Sequence, residues 1–165
     1  MSREIRSFDY VNHPYDLVRA ELRSNAAGVL RSATSAASHR AEAVAAGLRV
    51  QVAGLEVSTA IDVTIGDATE GEGGPGGTRM LQIPIRWKAA ERPGLFPRMS
   101  AKLAVYPLTS TETQLDFHGE YEPPLGPLGS AIDAAIGHRI AEASVHRFLR
   151  EVADYLRTSL PGTPG

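Results

Sequence analysis

The order of hydrophobic patterns along the chain predicts an α+β fold, a curved antiparallel sheet of about six strands wrapped around a long C-terminal helix, with two short helices after the first strand. Three observations carry this. The apolar period changes from helical to two just after Gly47. Five period-two runs then follow one another through short links, which makes sequence neighbours antiparallel. The last part of the chain closes on an apolar stripe from Leu128 to Leu160, about nine turns at 3.6 residues each.

Each element has its own warrant. Arg3 to Val11 carries Ile5, Phe8, Tyr10 and Val11 in loose alternation and reads as a first strand. Pro14, with its fixed φ and missing N–H, suits the first position of a helix in which Tyr15, Val18 and Leu22 recur at three and four residues. Ser24 and Asn25 read as a break and a new cap. An alanine-rich second helix follows through Leu30, Ala33, Ala37, Ala41 and Val44 and stops at Gly47. Leu48, Val50 and Val52 form one strand, and Val57, Thr59, Ile61, Val63 and Ile65 a second. Gly71 to Gly77 offers little side chain to pack and reads as a flexible loop tip.

Leu81, Ile83, Ile85, Trp87 and Ala89 share one face of the next strand. After a turn at Glu91 to Gly94, Met99, Ala101, Leu103 and Val105 form the inner face of another. The final strand places Leu115, Phe117, Gly119 and Tyr121 inward and Gln114, Asp116, His118 and Glu120 outward. Pro123 to Pro127 cannot extend it and leads into the long helix from about Leu128. Residues 1–160 are expected to form a single domain and 161–165 a disordered tail.

Composition narrows the function classes. A chain of 165 residues suits one domain, and folding should bury roughly 70% of its unfolded surface. Without cysteine there is no disulfide framework, thiolate metal site or cysteine nucleophile. A net charge of -2 gives no general attraction to nucleic acid, and no apolar run reaches the ~18 to 20 residues that cross a bilayer. The expectation is a soluble, cytoplasmic protein with no cofactor, no nucleic-acid partner and no stable membrane insertion, a homodimer being left open.

Several stretches resemble an uncharacterised bacterial branch of the START and polyketide-cyclase-like superfamily. They are Ile85-Arg86-Trp87-Lys88-Ala89, Gly94-Leu95-Phe96-Pro97, Thr113-Gln114-Leu115 and the run from Gly119-Glu120-Tyr121-Glu122-Pro123-Pro124-Leu125-Gly126-Pro127-Leu128-Gly129 to His138-Arg139-Ile140-Ala141-Glu142. The order of elements is also similar to the helix-grip fold of that superfamily. The resemblance implies a small hydrophobic molecule, a lipid or polyketide-like metabolite, held between sheet and helix. Some members cyclise, dehydrate or hydroxylate the molecule they hold. It supplies no catalytic signature that can be placed here residue by residue, and fold analogy assigns no activity.

The candidate ligand-binding residues are Trp87, Met99, Leu103, Phe117 and Tyr121 on the inner face of the sheet, with Ile136, Arg139 and Ala143 on the helix. The five sheet residues either wall a cavity or fill a solid core. Gly119 either leaves room for a ligand or permits a bend. Arg139 either points inward to pair with a ligand anion or lies at the edge with its head toward water, Asp133 or Glu142. His138, Glu142 and His146 recur every four residues, but HxxxExxxH is not the HExxH spacing and its ends lie about 12 Å apart on a helix. A solvated face with helical ion pairs fits better. No G-x-S-x-G elbow and no phosphate loop is present. A carrier of an apolar molecule is the leading reading, a cyclase or dehydratase the alternative. A protein-interaction module using Arg86, Lys88, Lys102 and His118 on the outer face is the third.

Overall fold

The computed structural model describes residues 3–47, 61–89, 98–122 and 134–161. Six strands and two helices follow in the order β1 (Arg3–Val11), α1 (Tyr15–Gly47), β2 (Ile61–Ile65), β3 (Thr69–Gly71), β4 (Met80–Ala89), β5 (Arg98–Pro107), β6 (Thr113–Glu122) and α2 (Ala134–Ser159). One antiparallel sheet runs β1-β6-β5-β4-β2, with β3 paired to β4. Against it pack α2, chiefly on β1 and β6, and α1, which lies along α2. This is the α+β, helix-grip architecture that the sequence predicts.

The hydrophobic patterns account for most of this. On β5 and β6 buried residues alternate with more exposed ones, as period-two runs must when one face is covered. On α2 the buried stripe runs through Ile140, Val145, Phe148, Leu149, Val152 and Leu156. Two hydroxyls inside the helical layer are satisfied locally: Thr34 donates to the Leu30 carbonyl at 2.8 Å and Ser144 to the Ile140 carbonyl at 2.7 Å.

Three expectations are refined or corrected. The two short helices are one 33-residue element in which Asn25 alone leaves helical geometry, at φ -138° and ψ 30°. The break therefore falls where the sequence places it, without a linker between the halves. A Cβ at Gly28 would lie 2.7 Å from the Asn25 side-chain oxygen, so glycine there leaves room for that side chain to fold over the restarted helix. The glycine-rich segment is not a featureless tip. Pro75–Gly77 forms a 3-10 turn in which Gly77 N–H donates to Gly74 O, and Gly74 N–H to Thr78 O, both at 3.0 Å. Gly76 and Gly77 hold φ values of 69° and 77°, which side chains with a Cβ resist.

β3 is a strand that the sequence does not signal. Its Glu70 is paired with Arg19 and, at 3.1 Å, with Arg23, which fastens this short edge to α1. Nearby, the Arg79 guanidinium lies 5.2 Å from the Tyr15 ring centroid and 3.1 Å from Asp16. The strand read over Leu48 to Val52, the first half of the next, the turn at Glu91 to Gly94, and the helix start at Leu128 and Ile132 all lie outside the described residues.

Candidate functional site

Register decides which inner-face residues meet. Trp87 on β4 is opposite Met99 on β5, Met99 is opposite Tyr121 on β6, and Tyr121 is opposite Arg3 on β1. A second row places Ile83, Leu103 and Phe117 side by side. Ala101 and Gly119 occupy the rung between these rows, so the floor there is low. Trp87 and Phe117 lean across Ala101 and stack, with centroids 5.7 Å apart and planes inclined by 25°.

From the helix, Phe148 meets both rings edge-on, at 5.1 Å from Trp87 and 5.6 Å from Phe117. Each such ring pair contributes about 0.5 to 1.5 kcal/mol beyond area burial. All five sheet residues expected to face a ligand, Trp87, Met99, Leu103, Phe117 and Tyr121, are buried on this one face. At Trp87 and Phe117 sheet and helix already touch through side chains, so a guest there must part three rings.

Gly119 has a role that concerns strand approach. A Cβ on it would lie 2.4 Å from the Ala101 Cβ and 2.7 Å from the Ser100 carbonyl oxygen. It lets β5 and β6 close together beneath the aromatic cluster.

The polar end of this face is at Tyr121. Its hydroxyl lies 2.7 Å from His138 Nδ1 at the start of α2. The opposite ring nitrogen, Nε2, lies 3.6 Å from Glu142, the helical pair expected at four-residue spacing. Burial raises the Tyr121 pKa above its ordinary 10.0, the Arg3 guanidinium within hydrogen-bonding reach pulls it down, and Glu142 adds a smaller rise. The phenol thus keeps its proton at neutral pH, in hydrogen-bond contact with Nδ1. The result is a phenol, an imidazole and a carboxylate in line, from the buried sheet face to the surface.

Two helix candidates lie elsewhere. Arg139 is exposed, and with the half-buried Ala143 it lines a groove of about 570 Å3 between β1 and the outer side of α2. Successive helical residues are rotated by about 100°, so with Ile140 turned into the core Arg139 is carried round to the flank. Of the two alternatives for Arg139, its exposure accords with the edge one. The Ile136 side chain lies outside what the structure describes. The sequence presents His138 only as part of a solvated helix face, and its contact to Tyr121 is missed. Its partner is 17 positions away on another element, and no local pattern announces it. Among the described residues no group of three or more His, Asp or Glu is placed to hold a metal ion.

No family model matches the chain, and no curated protein matches it. Solved structures do. A conserved protein from Geobacillus kaustophilus is similar at 11% identity over 95% of this chain and 97% of its own, with a TM-score of 0.49. The Zhui aromatase/cyclase from Streptomyces sp. R1128 is similar at 15% identity over 96% and 98%, with a TM-score of 0.40. Norcoclaurine synthase from Thalictrum flavum, solved with dopamine and hydroxybenzaldehyde, is similar at 10% identity over 94% and 88%, with a TM-score of 0.32. Likeness at this level lends no residue role to the present chain.

Proposed function

We propose that the chain binds a small hydrophobic molecule between the sheet and α2, at the end where Met99 and Tyr121 face the start of the helix. The carrying observation is the Tyr121 hydroxyl, a single polar handle at the margin of an apolar face, held in a donor state by burial and aimed by His138. Apolar walls with a few convergent polar groups are what small-molecule sites consist of. The aromatic cluster at Trp87, Phe117 and Phe148 forms the inner limit of such a site. The START and polyketide-cyclase-like resemblance in sequence supports the same reading, and with it membership of that superfamily.

Native mass spectrometry of freshly purified protein tests this directly, with displacement of a fluorescent fatty acid as the second measurement. Saturable displacement that weakens about tenfold in Tyr121→Phe, the cost expected of about one buried hydrogen bond, supports it. Absence of saturable binding overturns it.

A cyclase or dehydratase reading is favoured by one observation, the phenol-to-imidazole contact at 2.7 Å. A neutral phenol can give its proton to a ligand carbonyl as it becomes an enolate, and with a proton on Nδ1 His138 would reprotonate the phenolate left behind. Turnover of an aromatic polyketide precursor that falls at least tenfold in both Tyr121→Phe and His138→Gln, with binding retained in His138→Gln, distinguishes enzyme from carrier.

A further inference from the structure

The groove that contains Arg139 is unusual in its charge. Arg6 on β1, Arg40 on α1, and Arg139, Arg147 and Arg150 on α2 line it, against one carboxylate, Glu142. Five guanidiniums therefore converge on one depression in a chain whose net charge is -2. The concentration is local and does not follow from composition.

Most of this charge is uncompensated. Glu142 faces His138, and Arg147 is paired at 2.6 Å with Glu151. Among the described residues Arg6, Arg40, Arg139 and Arg150 have no carboxylate within 4.0 Å. Elsewhere on the surface several arginines are matched, Arg19 and Arg23 with Glu70, Arg79 with Asp16, Arg98 with Glu122, and Arg157 with both Asp9 and Asp154. Like charges gathered on three separate elements repel, and a concave wall concentrates their field. Such an arrangement is relieved by an anion from outside.

Spacing narrows the anion. Arg139 and Arg150 are eleven positions apart on α2, about 16 Å along the helix axis. Arg6 and Arg40 approach from β1 and α1. A single carboxylate engages one fork and leaves the rest unneutralised, whereas two or more phosphates can each take a bidentate guanidinium contact along the row. Ala143 and Ser7 are small residues beside the charged ones and leave room for bulk between them. A volume of about 570 Å3 is on the scale of an organic ligand.

The geometry points to the arginine groove between β1 and α2 as a binding site for a ligand bearing two or more phosphate groups. This site is separate from the interior one and does not rest on it. The same chemistry is offered by a free polyphosphorylated molecule and by phosphate headgroups on an anionic lipid surface.

Calorimetric titration of the full chain with inorganic tripolyphosphate at low ionic strength tests the first source. Sedimentation with vesicles of phosphatidylglycerol, against vesicles of phosphatidylcholine, tests the second. The expected result is saturable binding to one of these anionic probes, weakened as salt rises. An Arg139→Ala and Arg150→Ala double variant loses tenfold or more, while Arg98→Ala, outside the groove, changes by less than twofold. Arg150→Lys, which keeps charge but not the planar fork, loses severalfold. Should the double variant not fold, single Arg6→Ala and Arg40→Ala replacements on two other elements give the same reading. Tripolyphosphate binding without vesicle binding assigns a free ligand, and the reverse assigns a lipid surface. Binding of neither probe, or equal weakening in Arg98→Ala, overturns the proposal.

Discussion

The two ends of α2 are built differently. Near its C-terminal end Tyr155 donates to Glu21 at 2.5 Å and accepts from Asn25 at 3.1 Å, tying the helix to the kink of α1. Arg157 holds Asp9 at 3.0 Å and the Tyr10 carbonyl at 2.7 Å, tying the same end to β1. At the other end, among the described residues, His138 reaches the sheet through Tyr121, and Arg139 and Glu142 are exposed. One end is spent on closing the fold, which leaves the polar groups of the other available for a ligand.

The largest test of this division is at its midpoint. Phe148→Ala removes the ring that joins Trp87 to Phe117 and is expected to destabilise by about 3 to 5 kcal/mol in urea titration. A loss below about 1 kcal/mol would mean that sheet and helix are not joined there. Next comes Gly119→Ala, whose added methyl meets Ala101 and the Ser100 carbonyl and should cost about 1 to 3 kcal/mol through overpacking. An unchanged urea midpoint would place β5 and β6 further apart.

Smaller effects separate the two ends. Tyr155→Phe breaks both ties of its hydroxyl and should cost about 0.5 to 1.5 kcal/mol per lost bond, read as a lower melting temperature with no change in ligand displacement. Tyr121→Phe gives up one bond, to His138, so melting should fall by less than in Tyr155→Phe while the ligand is weakened. Alkaline titration sharpens the contrast. Tyr15, Tyr106 and Tyr121 all have pKa values raised mainly by burial, so the folded state holds their protons more tightly than the unfolded one. Their stabilising contribution is full below the ordinary 10.0 and is lost as pH rises through the raised values. Unfolding is therefore expected to become easier above about pH 10, and less steeply in Tyr121→Phe. An identical alkaline slope in the variant would place that phenol in water.

Legibility in the sequence follows the physics of each element. β4, β5 and β6 could be read because a period of two with one buried face admits no other phase: Trp87, Met99, Leu103, Phe117 and Tyr121 all fall on the inner side. Asn25 announced the kink through its capping chemistry. β3 escaped because Thr69, Glu70 and Gly71 are exposed and too few to show a period. Arg139 was ambiguous because a wide helical stripe fixes its own centre and not its margin. The Tyr121 to His138 contact, and the meeting of Arg6, Arg40 and Arg150, depend on elements far apart in sequence and belong to the tertiary structure alone.

The pairing of β1 has a consequence for how the molecule is made. β1 is the first element synthesised in this stretch, yet its strand partner is β6, with Arg3 opposite Tyr121, and its clasp is Arg157. A nascent chain emerging from the ribosome thus carries Ile5 and Val11 with no sheet to join until more than a hundred further residues have followed. Such distant closure slows folding and prolongs the exposure of greasy intermediates. Moving the β1 segment by circular permutation to follow α2 would relieve that wait, and it should speed refolding even if the finished protein were no more stable.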